Sequence, residues 1–261
     1  MENVINVKPC EKCSNFSNID LSRIKTKLDI LFDKKNFDEA KRLIKYWIQE
    51  AQMVNDKKSE LELKNEYMGL LRKLNEIEAI TIANSSYELI YELKIENTIS
   101  AGTIFINIGT VYKAFNRAKD AEKYFLLADT IYNKCLKKDD ILFAGLYNNM
   151  ALMYVDINEF DKANKLYNDA INILKENNNQ LDLAITYLNL LDLYYKKNNI
   201  EKVANIDLMI DEYIKKSFLC LTDKNLCNNE YFRFVIEKCI PSFSFYGYFL
   251  YENELKKYLS N

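Results

Sequence analysis

The chain has 261 residues, with 36 Lys and Arg against 38 Asp and Glu, a formal charge of −2 and no histidine. Near-balanced charge without a basic block argues against nucleic-acid binding, which needs a basic stripe to release counterions. The missing histidine removes Ser-His-Asp and Cys-His catalysis and the commonest nitrogen ligand for metals, and five scattered glycines form neither a phosphate loop nor a dinucleotide fingerprint.

Residues 1–18 read as a flexible arm. They hold no apolar core of signal-peptide length. Long uncharged stretches such as 97–112 and 240–251 fall short of the roughly 20 residues of a spanning helix. A cytoplasmic protein without a membrane segment is the expectation. Cys10 and Cys13 are spaced as half a zinc knuckle. Cys220 and Cys227 are too far apart to supply a matching second pair, so unpaired thiols in a reducing compartment are expected instead. Cys10 and Cys13 are then the only metal candidates, and no cofactor is expected. Cys135 and Cys239, among apolar neighbours, are expected in the core.

From 19 to 227 a small or apolar position recurs at Leu28, Gly69, Gly109, Ala151 and Leu191, in steps of 41, 40, 42 and 40 residues. Two copies agree position by position. Gly109 is followed by Tyr112, Ala121, Phe125 and Ala128, and Ala151 by Tyr154, Ala163, Tyr167 and Ala170. The other copies are weaker: Leu28 is followed by Ala40, Leu191 by Val203, and Gly69 by Arg72 and then Ile80 or Thr81. A small residue lets two helices approach, the alanines give the second helix a shallow face, and the aromatics fill the gap. Asn36, Asn116, Asn158 and Asn199 mark turns, as residues that tolerate left-handed backbone.

This pattern resembles the tetratricopeptide repeat, whose usual period is about 34 residues. A step near 41 leaves room for one or two extra helical turns, at about 3.6 residues each. The expected fold is all-α: a right-handed superhelical solenoid of antiparallel helix hairpins, with about five to six repeats. Residues 228–261 are more aromatic and read as a divergent capping hairpin, with Pro241 dividing its two helices. The alternative for this segment is an exposed aromatic patch for a partner or a homodimer.

Helical phase places a second set of residues opposite the packed stripe of each first helix. It comprises Thr103, Asn107, Thr110 and Ala114 in the third repeat, and Gly145, Asn149, Leu152 and Asp156 in the fourth. In the fifth it comprises Ile185, Asn189, Asp192 and Lys196. First helices line the concave side of such a solenoid. Asn107, Asn149 and Asn189 share one position, and an amide can pair with any peptide backbone because it both donates and accepts. Lys113, Tyr147, Asn148, Leu152, Asp156 and Asp192 would then select the side chains. Two other readings stay open: the asparagines cap or bridge adjacent first helices, or they reflect codon bias.

The run from Gly145 to Tyr154, followed by Asn158 to Ala170, is similar to the long-period tetratricopeptide repeats of the kinesin-light-chain type. That resemblance covers 97–216 well and 20–96 weakly. It implies that Asn107, Asn149 and Asn189 are peptide-holding amides in a non-enzymatic scaffold or adaptor whose partner is a protein or an extended peptide. The usual proline closing each repeat is missing here. Alternatives are a signalling-peptide sensor that sequesters another protein, and a structural subunit that oligomerises.

Overall fold

The computed structural model describes residues 19–259, so Cys10 and Cys13 lie outside the described residues. Among the described residues there are twelve α-helices and no strand. They are α1 (Leu21–Asp33), α2 (Phe37–Met53), α3 (Lys57–Lys73), α4 (Glu78–Glu92), α5 (Ile99–Ala114) and α6 (Ala118–Cys135). Then come α7 (Ile141–Asp156), α8 (Phe160–Glu176), α9 (Gln180–Asn198), α10 (Ile206–Leu221), α11 (Glu230–Phe245) and α12 (Phe249–Lys257). Every small or apolar repeat position lies in an odd-numbered helix: Leu28 in α1, Gly69 in α3, Gly109 in α5, Ala151 in α7 and Leu191 in α9.

The chain divides into two compact units, Met1–Phe115 and Asn116–Asn261, at the turn between α5 and α6. In the first, α3 packs against α2 and α4, and α5 rests on α3 and α4. In the second, α7 pairs with α8, α9 with α10 and α11 with α12, while α11 also packs on α9.

Local chemistry sets the boundaries. Side-chain oxygens of Asn36, Asp56, Thr98, Asp140, Asn179 and Asn229 accept from backbone N–H groups in the first turns of the helices they precede. Eight non-glycine residues adopt positive φ among the described residues, seven just past a helix end and Asn205 at the start of α10, and six are asparagines: Asn55, Asn75, Asn116, Asn158, Asn178 and Asn205. At several of these, the N–H of the next residue reaches back across the helix end. Asp56 N donates to Ala51 O at 2.8 Å, and Asn179 N to Leu174 O at 2.9 Å. That is the left-handed helix closure usually given to glycine. Asparagine tolerates the same backbone because its short polar side chain bonds locally. Of the four expected turn residues, Asn116 and Asn158 take this conformation. Asn36 instead caps α2 after a left-handed Lys35, and Asn199 ends α9 in right-handed backbone.

The repeat signature is where the core sits. Ala121, Phe125 and Ala128 in α6, and Ala163, Tyr167 and Ala170 in α8, are all fully buried. The recurring tyrosine does a second job. Tyr112 Oη donates to Asn84 Oδ1 at 2.6 Å, Tyr154 Oη to Glu122 Oε1 at 2.8 Å, and Tyr194 Oη to Asn164 Oδ1 at 2.8 Å. Each bond ties a first helix to the second helix of the preceding repeat. Burial together with the Glu122 charge pushes the Tyr154 phenol up to about 12.

Several sequence expectations are corrected. In the second repeat the shallow face is Ala79, Ala83 and Ser86, not Ile80 or Thr81. A Cβ at Gly69 would meet no atom within 4 Å, so no close approach requires that glycine. Val203 lies in the connection after α9, because α9 runs on to Asn198 and α10 begins only at Ile206. Cys239 is buried as expected, but Cys135 is exposed at the last turn of α6. Pro241 does not divide two helices; it sits inside α11. Its ring removes one donor to the carbonyl of Glu237, but both residues are exposed, so water reaches that oxygen. The helix stops instead at Gly247, φ +83°, where Tyr248 N donates to Phe243 O at 2.8 Å.

Candidate peptide-binding cleft

Within the second unit, α7, α8, α9 and α11 enclose a cleft of about 510 Å3. Helical spacing explains which side chains reach it. Along α9, Asp192 lies three residues after Asn189, three before Tyr195 and four before Lys196, so the four share one face. Leu152 and Val155 of α7 form one wall, Ser242, Phe245 and Tyr246 of α11 the opposite one, and Tyr167 of α8 the floor. The volume falls in the range of clefts that hold drug-sized ligands.

The aromatic wall is ordered by edge-to-face packing. Tyr195 meets Phe245 at 5.3 Å and Tyr246 at 5.6 Å between ring centroids, and Phe245 meets Tyr246 at 4.9 Å. Such contacts hold rings in place without burying all their faces, and Phe245 remains 64 % exposed. Tyr246 Oη donates to Asp192 Oδ1 at 2.8 Å. Water reaches Asp192 through the mouth, yet the walls displace much of the bulk solvent around it. This desolvation pushes its carboxyl above the ordinary value of 3.8, against the opposing pull of the Tyr246 hydrogen bond and the Lys196 charge. Lys196 Nζ pairs instead with Asp156 Oδ1, at 3.7 Å.

On the floor, Tyr167 is fully buried and its hydroxyl has no hydrogen-bond partner. Burial first, and then the charges of Asp192 and Asp156, push its phenol far above the ordinary value. A buried hydroxyl left unpaired is uncommon in native structures and calls for an explanation.

The sequence-derived site residues have different fates. Asn189, Leu152 and Asp192 all line this cleft, and the Asn189 amide makes no side-chain hydrogen bond with any described residue. Asn149 Nδ2 donates to the Gly145 carbonyl of its own helix at 2.8 Å, and Asn148 Nδ2 bridges α7 to α9 through Thr186 Oγ1 at 2.9 Å. Asp156 lies at the end of α7, on the Lys196 ion pair. Asn107 belongs to the first unit, where its Nδ2 donates to Asn65 Oδ1 at 2.9 Å and so bridges the first helices α3 and α5. Thr103 and Thr110 bond back to carbonyls of their own helix, Ile99 O and Asn107 O, and Lys113 is half-buried on the last turn of α5.

Helical phase missed Tyr167, Tyr195, Ser242, Phe245 and Tyr246. Tyr167 carried a repeat-signature reading that hid its polar end. The α11 residues come from 54 or so positions away and from an irregular segment, so no repeat interval pointed to them. The aromatic density of 231–251 was the available signal.

Successive helices paired within each unit, with the repeat alanines and aromatics buried, define a tetratricopeptide-like repeat fold. No protein-family model matches the chain, and no curated protein sequence does either. Solved structures do. The chain is similar to BtubC (BKLC) from P. vanneervenii, at 18 % identity over 79 % of this chain and 83 % of that one, with a TM-score of 0.65. It is also similar to the nearly identical TPR-like repeats of a putative kinesin light chain from Podosopora anserina. There the identity is 11 % over 77 % of this chain and 93 % of that one, with a TM-score of 0.54. At these identities the likeness is one of fold. No helix among the described residues is long and apolar enough to cross a membrane.

Proposed function

We propose that this protein is a non-enzymatic, cytoplasmic scaffold that holds an extended peptide segment of a partner protein, with the α7–α8–α9–α11 cleft as its anchoring point. The observation that carries the reading is the cleft itself. It offers an unpartnered Asn189 amide for a peptide backbone beside the partly exposed rings of Tyr195 and Phe245. Polar groups converging in a mostly apolar concavity are the usual makeup of a binding site, and exposed aromatics are the usual anchors of protein contacts. The two amides with partners already in place, Asn107 and Asn149, play a smaller part than Asn189.

Selection of peptides from a random-peptide phage library on the immobilised protein tests this. Clones are expected to bind wild type and to lose binding to Asn189→Ala and Phe245→Ser, both on the cleft surface. Clones indifferent to both substitutions, or no clones at all, would sink the reading.

A second reading rests on a separate observation. Tyr231, Phe234, Phe249 and Leu250 on α11 and α12 are all exposed, Leu250 by 84 %, which suits self-association through this end. Light scattering across a concentration series checks it. A dimer mass that reverts to monomer in Phe249→Ser/Leu250→Ser is the expected result, and a constant monomer mass excludes it. Phe243, fully buried, belongs to the core and not to this surface.

A further inference from the structure

We infer that the cleft is built to receive an arginine side chain of the bound peptide. The inference deepens the peptide-binding reading and rests on it. Three acceptors with capacity left over line the cleft. Tyr167 Oη, fully buried on the floor, has no partner. Asp192 uses only Oδ1, for the Tyr246 hydroxyl, and no lysine or arginine among the described residues forms an ion pair with it. Asn189 presents a side-chain carbonyl with no partner.

The charge balance points the same way. Lys196, the cation that lines the cleft, is paired to Asp156, and Asp192 has no ion-pair partner among the described residues. A cation beside Asp192 would pair its carboxylate. An anionic ligand would have to lie against Asp192, and a neutral one would form no ion pair with it.

The shape separates guanidinium from ammonium. Three separate acceptors on two helices, α8 and α9, are met by a planar group with five donors in a fixed fork, whereas an ammonium has three donors on one point. The ring edges and faces of Tyr195, Phe245 and Tyr246 flank the space, where a flat cation can stack and where its charge is attracted by the ring quadrupole. The methylene stem of the arginine would lie along Leu152 and Val155, as long charged side chains do on apolar walls.

The selected phage peptides supply the test, remade synthetically with a fluorescein label and measured by polarisation. The expected result is an arginine common to the peptides. Its replacement by citrulline, isosteric but neutral, should weaken binding by about tenfold or more, and replacement by lysine by less. Asp192→Asn should cost about as much as citrulline does. Tyr167→Phe should weaken binding several-fold while leaving the melting temperature no lower than wild type, because the hydroxyl has no partner to lose in the free protein. A merely structural tyrosine would show the reverse, a lower melting temperature with unchanged affinity. Peptides that bind through the cleft without arginine, or citrulline versions binding within about twofold, overturn the arginine assignment and leave the scaffold reading standing. Failure to select any peptide overturns both.

Discussion

Two polar clusters in this chain, one in each unit, have opposite internal states. In the first unit, Lys64 and Glu60 of α3 form an ion pair at 2.6 Å with side chains only 8 % and 9 % exposed. Gln52 of α2 donates to Glu60 at 2.7 Å, and Lys64 also reaches Ser85 of α4. Each of these groups has a partner from a neighbouring helix. In the second unit, the cleft brings Asp192, Asn189 and Tyr167 together, and the Tyr167 hydroxyl is left with nothing. Burying a polar group without a hydrogen bond costs free energy that the folded protein must offset elsewhere. A cluster that closes on itself therefore reads as architecture holding α2, α3 and α4 in register. A cluster that leaves acceptors unanswered reads as a place for something else.

Breaking the closed cluster should have the largest effect. Lys64→Met strands the Glu60 charge and is expected to lower stability by about 3–5 kcal/mol in urea unfolding, as for other broken buried pairs. Adding Glu60→Leu should recover most of that loss, since replacing both charges by apolar groups removes the desolvation cost together with the attraction. A double variant no better than the single one would show that the network contributes more than mutual neutralisation.

The same one-atom change on two tyrosines sharpens the contrast. Tyr154→Phe deletes the bond to Glu122 and should cost about 1 kcal/mol. Tyr167→Phe deletes a hydroxyl with no bond and should be neutral or stabilise by up to about 1 kcal/mol. Equal losses at both positions would contradict the difference between the clusters.

Smallest is the effect at Asp192. Its carboxyl titrates above its unfolded value, so the folded state holds that proton more tightly. The corresponding stability is fully present below about pH 3.8 and is lost as pH rises through the folded value. Asp192→Asn should therefore raise stability slightly at neutral pH and flatten the pH dependence over that window, as read by thermal melts at several pH values. A drop in stability at neutral pH would mean that the Tyr246 bond outweighs desolvation.

Much of the repeat architecture was legible before any coordinates. The positions Gly109 to Ala128 and Ala151 to Ala170 announced paired helices because close packing admits only small residues at those intervals. The weaker copies were read less well. Ala79, Ala83 and Ser86 took the shallow face that the alignment gave to Ile80 and Thr81, because the connection before α4 shifts its phase. Val203 fell in a connection because α9 exceeds its expected length. Pro241 misled for a related reason: the rule that proline breaks helices weakens where the freed carbonyl faces water.

By itself, then, the sequence determined the helices, their pairing order and their caps, since these depend on residues within one or two turns of each other. Of the four asparagines expected in turns, Asn116 and Asn158 do close helices in left-handed backbone. Only the tertiary structure decided which amide stays unpartnered. Asn107, Asn149 and Asn189 hold the same repeat position, yet the first meets Asn65 from the neighbouring first helix, the second turns back on its own helix, and the third faces a cleft. That outcome rests on what packs opposite each of them. For Asn189 the opposing wall is α11, whose Tyr246 lies 54 residues along the chain from the Asp192 it bonds, a distance over which no local interval carries information.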